Sequence, residues 1–244
     1  MKILDELIAS IPSNIPVRSV LIGAHWTVVC SRHCGMASTL MSNHQHGHAH
    51  VRDVGHLHEK SARELAELAY SDEMLEASVG FAAINSTLDV DESASKEMNA
   101  SETLTSLGRG KNVVLVGHFP FIPQLRQSVG KLWVIEKNPV EDEYPAEAAA
   151  DLIPQADVVA LTGSALVNHT LDDLLALCHP SSHVMVLGPS TPLSPVLFNH
   201  GATIISGTKV IDEEAVMRAV GQGASFRQVS GVKLLTLWKT ESQT

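Results

Sequence analysis

Residues 157–206 read DVVALTGSALVNHTLDDLLALCHPSSHVMVLGPSTPLSPVLFNHGATIIS, and their rhythm decides the fold. The runs 157–163 (DVVALTG), 183–188 (HVMVLG) and 202–206 (ATIIS) are short, apolar and rich in β-branched residues. Continuous apolar runs of this length suit strands covered on both faces, as in a parallel sheet. Helix-like segments at 171–178 and 193–200 separate them. Toward the N-terminus, 112–117 (NVVLVG) and 132–136 (LWVIE) repeat the pattern, followed by helix-like stretches at 122–129 and 146–153. A helix at 213–221 and a strand at 233–238 close the chain. Strand alternating with helix is the signature of βαβ units in a doubly wound sheet.

The front of the chain has another pattern. Residues 17–31 (VRSVLIGAHWTVVCS) hold two strand-like runs around Gly23, and 34–41 adds a further one. Two helices follow. The first spans 61–69, with Ser61 as N-cap and Glu64 three residues on, a capping box. The second spans 72–85, with Leu75, Val79, Ala82 and Ala83 at helical spacing. Residues 89–110 are polar and rich in small side chains, which reads as a linker. The expected organisation is a small α+β domain over 1–104, with a His-rich loop at 43–58, and a Rossmann-like α/β domain over 105–244.

Composition narrows the function classes. The chain has 244 residues, 44% hydrophobic and 18% charged, enough for a sizeable core. Its formal net charge of -10 repels phosphate backbones, so nucleic acid is not an expected partner. No apolar run reaches the roughly 20 residues of a membrane helix. The opening MKILDELIASIP is an amphipathic helix and not a signal peptide. Cys30, Cys34 and Cys178 form no disulfide framework, and reduced thiols in a cytoplasmic protein are the simpler reading.

Five stretches share a resemblance: KSARELAELAYSDEMLEASVGFAAIN (60–85), VGHFPF (116–121), IEKNP (135–139), TGSALVNHTLD (162–172) and LGPSTPLSP (187–195). In order and content they resemble a prokaryotic heavy-metal chelation family. The resemblance implies an enolase-N-terminal-like domain followed by a Rossmann-like one, with the site between them.

The strand ends supply the candidate ligand contacts. Gly117 and His118 follow the first Rossmann run, yet GHFPFIP lacks the G-x-G-x-x-G fingerprint, and its prolines donate no N–H. A pyrophosphate cradle is therefore not expected. Glu136 lies 19 residues after Gly117, where dinucleotide folds place an acid for ribose hydroxyls; a water-exposed carboxylate is the plain alternative. Gly163, Ser164, Asn168 and His169 follow the third run, with Thr170 reading as a helix cap. Gly188, Ser190 and Thr191 follow the fourth, where hydroxyls either hold an anion or only cap a helix. Asn85 closes its helix and either caps it or points toward the second domain. His118 is the candidate acid or base, and no companion nucleophile for it is evident.

The tract His44, His46, His48, His50 puts imidazoles at every second position, a ligand set for nickel, zinc, copper or iron. A solvated polar loop that binds metals incidentally is the alternative. Trp26, Trp133 and Trp238 read as packing residues. Two functions follow. One is a protein that binds a small molecule or metal chelate, as a monomer or homodimer, in heavy-metal chelation or homeostasis. The other is a metabolic enzyme acting on a nucleotide-like or heterocyclic compound of pterin or flavin type.

Overall fold

A computed structural model describes residues 1–41 and 50–240. The chain opens with helix α1 (Lys2–Ala9), whose Ile3, Leu4, Leu7 and Ile8 are buried on one face. A three-stranded antiparallel meander follows: β1 (Ser19–Ile22), β2 (Trp26–Cys30) and β3 (Cys34–Ser38). Helix α2 (Ala62–Ala66) carries the expected capping box, with Glu64 N–H donating to Ser61 Oγ and Ser61 N–H to Glu64 Oε2. Helix α3 (Met74–Thr87) is buried almost all round, the composition of a helix inside a core rather than on a surface.

The remainder builds one eight-stranded sheet. In chain order its elements are β4 (Ser95–Glu97), α4 (Ala100–Gly108), β5 (Asn112–Val116), α5 (Ile122–Ser128), β6 (Lys131–Glu136), β7 (Tyr144–Pro145), α6 (Ala149–Leu152), β8 (Val158–Thr162), α7 (Ser164–Val167), α8 (Leu171–Ala176), β9 (His183–Leu187), α9 (Val196–Asn199), β10 (Ile204–Val210), α10 (Glu213–Gly221) and β11 (Val232–Trp238). Across the sheet the order is β4-β11-β10-β9-β8-β5-β6-β7. The six strands from β10 to β7 run parallel; β11 and β4 pair antiparallel at one edge. The chain leaves β5 toward β6 and returns to lay β8 on the other side. Strand order therefore reverses between β5 and β8, and α/β folds bind ligands outside the carboxyl ends at such a point.

Side chains alternate across the sheet with period two. Val114, Val159, Leu161, Val184 and Val186 face one apolar cluster, which also holds Leu7, Phe81 and Ile84 from the front of the chain. Val113, Leu115, Val158, Ala160, Met185 and Leu187 face a second cluster under α4 and α5. The α+β part thus packs its helices directly on one face of the Rossmann-like sheet.

Three sequence expectations change. Within the expected linker, β4 pairs with β11 and α4 buries Thr103 and Leu104 against the sheet. That strand is a three-residue exposed edge, so its sequence SKE carries no apolar signal. The helix expected at 193–200 starts only at Val196, because Pro192 and Pro195 hold the preceding backbone out of helical geometry. Cys30 and Cys34, read as reduced thiols, form a disulfide across the β2–β3 hairpin.

Candidate functional site

The strand exits on either side of the reversal are built alike. Gly117 N–H donates to Ile135 O, Gly163 N–H to Leu187 O and Gly188 N–H to Ser206 O, so each glycine adds one rung to its neighbour's ladder before the chain turns away. Gly117 has φ +108°, a conformation natural to glycine. At Gly163 the demand is space: a Cβ there would lie 2.4 Å from Thr191 Oγ1 and 2.7 Å from Thr191 N. The loop after β9 therefore crosses directly over the end of β8.

That crossing gathers hydroxyls. Ser38 N–H, at the end of β3, donates to Ser190 Oγ at 2.8 Å. Ser190 Oγ donates to Ser38 Oγ at 3.0 Å, and Ser38 Oγ lies 3.1 Å from Ser164 Oγ. Asn85 lies inside α3, not at its end. Its Nδ2 donates to Met36 O at 2.8 Å and Ser190 O at 3.2 Å, so it does not cap the helix but reaches across to the loop after β9. Asn85 and Thr191 flank a separate cavity of about 20 Å³.

Above the hydroxyls opens a cleft of about 750 Å³, within the range of small-molecule sites. Ser38, His118, Ser164, Gly188 and Ser190 line it. Aromatic rings form two walls. Phe119 stacks on Phe121 with centroids 5.2 Å apart, and Trp26 tilts against Phe226 at 5.4 Å. Trp26 was expected only to pack; it lines the cleft, and its Nε1 is buried without a partner among the described residues, as is Thr208 Oγ1. Among the described residues, Arg227 and His118 are the ionisable side chains of the lining.

His118 has a carboxylate partner that the sequence did not reveal. Its Nδ1 lies 2.8 Å from Glu143 Oε1, and the Glu143 side chain is only 4% exposed. Val140 N–H holds the other carboxylate oxygen at 3.1 Å. A carboxylate only accepts, so Nδ1 carries the proton and Nε2 keeps its lone pair in the neutral ring. Glu143 is 25 residues away in a loop with no motif, so only the fold could pair them.

Other predicted residues lie elsewhere. Glu136 ends β6 beyond β5 and accepts from its own neighbour Lys137 N–H at 2.7 Å; it does not line the cleft. Asn168 is 2.7 Å from Thr170 Oγ1, which draws Thr170 away from capping α8. His169 adopts φ +61° and places Nε2 2.7 Å from Ala69 O, a tie to the α+β part rather than a ligand contact. His44, His46 and His48 lie outside the described residues; His50 is exposed at their border. Among the described residues, the one close set of three metal-type donors is Cys30, Cys34 and Glu213, none of which lines the cleft.

Two family profiles match, over residues 4–88 and 99–239, and both are described as "Putative heavy-metal chelation". The chain belongs to this family. An uncharacterized protein of Methanocaldococcus jannaschii is 29% identical over 192 residues, covering 75% of this chain and 72% of the relative. A crystal structure of a family member with unknown function from Desulfitobacterium hafniense superposes with TM-score 0.87 at 29% identity, covering 98% of both chains. One from Pyrococcus horikoshii, also of unknown function, superposes with TM-score 0.82 at 20% identity over 98% of both, a likeness of fold. These two members of the family thus share the fold of this chain over nearly its whole length. Among the described residues no helix is long and apolar enough to cross a membrane.

Proposed function

We propose that the protein holds a small planar organic chelator, with its metal bound, in the cleft at the β5–β8 reversal. The observation that carries this reading is the composition of the lining. Aromatic walls and a hydroxyl floor suit an organic ring with polar substituents, and Arg227 suits a negative charge on it. His118 Nε2 supplies one nitrogen donor, oriented through Glu143. Among the described residues the lining contains no Asp, Glu or Cys and no second His. One imidazole alone does not hold a bare ion, and in this reading the chelator brings the remaining donors. The metal is of the class that accepts imidazole: nickel, zinc, copper or iron.

The test compares three probes in a variant with His44, His46, His48 and His50 replaced by alanine, so that the tract takes up no metal. The probes are zinc alone, dipicolinate alone and their one-to-one complex, with a carboxypterin as a second ring. The complex raises the melting temperature most; at 100 times its dissociation constant it adds about 2.7 kcal/mol. His118→Ala removes the advantage of the complex over the free ring. Equal binding of ring and complex, unaffected by His118→Ala, would favour instead a metal-free enzyme of heterocycle metabolism, with the His118–Glu143 pair as its base.

A further inference from the structure

Cys30 ends β2 and Cys34 opens β3, directly opposite each other in the hairpin register. Both are buried, at 0% and 8% exposure, in an apolar cluster with Val28, Met36, Val216 and Val220. Glu213, the first residue of α10, brings a carboxylate oxygen within 4.8 Å of both sulfurs. Arg18 fixes that carboxylate from outside, its two terminal nitrogens at 2.9 and 2.7 Å from the two oxygens. The same guanidinium donates through Nε to Ser31 O at 2.9 Å, within the turn that joins the cysteines. The acid is thus held over the sulfur pair by a residue just before β1, whose own N–H donates to Cys30 O at 2.7 Å.

Two thiolates and a carboxylate are a donor set for a thiophilic divalent cation. Two sulfurs bonded to each other are not. We propose that Cys30, Cys34 and Glu213 form a redox-gated soft-metal site, closed as the disulfide and opened by reduction. A dithiol reductant gives two electrons and two protons to the S–S bond, which yields two thiols while the reductant becomes a disulfide. The incoming divalent ion then displaces one proton from each thiol and takes an oxygen of Glu213. Two thiolates, the carboxylate, the ion and the Arg18 guanidinium sum to zero charge, which lowers the cost of burying the ion. This site is independent of the cleft and of any ligand there.

Cadmium titration of the full chain tests it, with Cys178→Ser and the four tract histidines replaced by alanine to remove competing ligands. Phosphine-reduced protein gains a cadmium–thiolate charge-transfer band that saturates at one equivalent; oxidised protein gains none. Glu213→Gln weakens cadmium binding by roughly tenfold or more, as loss of a supporting group at a metal site does. Replacing both cysteines by serine abolishes the band. Should that double variant misfold, alkylation of the reduced parent followed by mass spectrometry gives an independent reading: cadmium slows labelling of Cys30 and Cys34. The proposal fails if reduced protein shows no band, if oxidised protein shows the same one, if Glu213→Gln binds as tightly as its parent, or if cadmium leaves both cysteines equally reactive.

Discussion

Glu143 and Gly163 show how single residues set the cleft. The Glu143 side chain is covered and spends its oxygens on His118 Nδ1 and Val140 N–H. Glu143→Gln keeps the shape, but Val140 N–H takes the amide oxygen and leaves the amide nitrogen facing Nδ1, which favours the opposite tautomer with the proton on Nε2. Affinity for the zinc–dipicolinate complex falls roughly 10–100-fold, while the free ring binds as before; calorimetry of the two ligands reads the difference. Gly163 acts through space. Gly163→Ala drives a methyl into the Thr191 backbone, which cannot rotate away as a side-chain tip could. Overpacking of this kind costs about 1–3 kcal/mol, and each kcal/mol lowers the melting temperature of a protein this size by about 2–4 °C. Calorimetric melting of Gly163→Ala against wild type checks it, and a loss below 1 °C would show that the β9 exit loop yields freely.

At the scale of elements, α3 organises the α+β part, and its one buried acid reports on it. Glu76 is 3% exposed. Burial opposes its charge, but hydrogen bonds from the Arg52 side chain and backbone and from Ser71 outweigh that and hold its carboxyl below the ordinary 4.5. A lowered folded value means that the carboxylate stabilises the fold fully above pH 4.5, and that this contribution fades as pH falls through the lower folded value. Glu76→Gln therefore costs about 1–3 kcal/mol at neutral pH, and the gap to wild type narrows in acid. Urea midpoints at neutral pH and near pH 3 measure it; a gap that stays constant refutes the role of the charge. This pair was not legible in the sequence, because Arg52 and Glu76 are 24 positions apart and tertiary. The Ser61–Glu64 box was legible because it is local. The same distinction runs through the fold. The parallel strands announce themselves by burial on both faces, whereas β4 is a polar edge with nothing to announce. His118, Ser164, Gly188 and Ser190 were foreseeable because a strand end in an α/β sheet points at the crevice. Glu136, Asn168 and His169 have the same local character, yet their partners turn them elsewhere, and only the assembled chain decides that.

At the scale of the whole molecule, the two parts are joined where the ligand would sit. Helix α3 and strand β3 arrive from the front of the chain, and the β8 and β9 exits from the back. Asn85 ties them, with one amide nitrogen shared between Met36 O and Ser190 O. Its Oδ1 is buried without a partner among the described residues, as is Thr191 Oγ1, and both residues line the 20 Å³ cavity. A polar space of that size accommodates one water able to satisfy both atoms. The junction at Asn85 is therefore polar, like the His169–Ala69 and Arg18–Glu213 ties elsewhere between the two parts. Asn85→Ala deletes two donors, leaves two carbonyls short of partners and enlarges the cavity. The global cost is about 1–3 kcal/mol. The consequence for function is local: the Ser190 loop loses its brace from α3 while the centre of the sheet keeps every rung. Hydrogen exchange separates the two effects. Amides of Ser190 and Thr191 exchange faster in the variant, while Val134 and Val159 accelerate only by the global loss of stability. Uniform acceleration across all four would mean that Asn85 merely adds stability, and that the front of the chain does not shape the cleft.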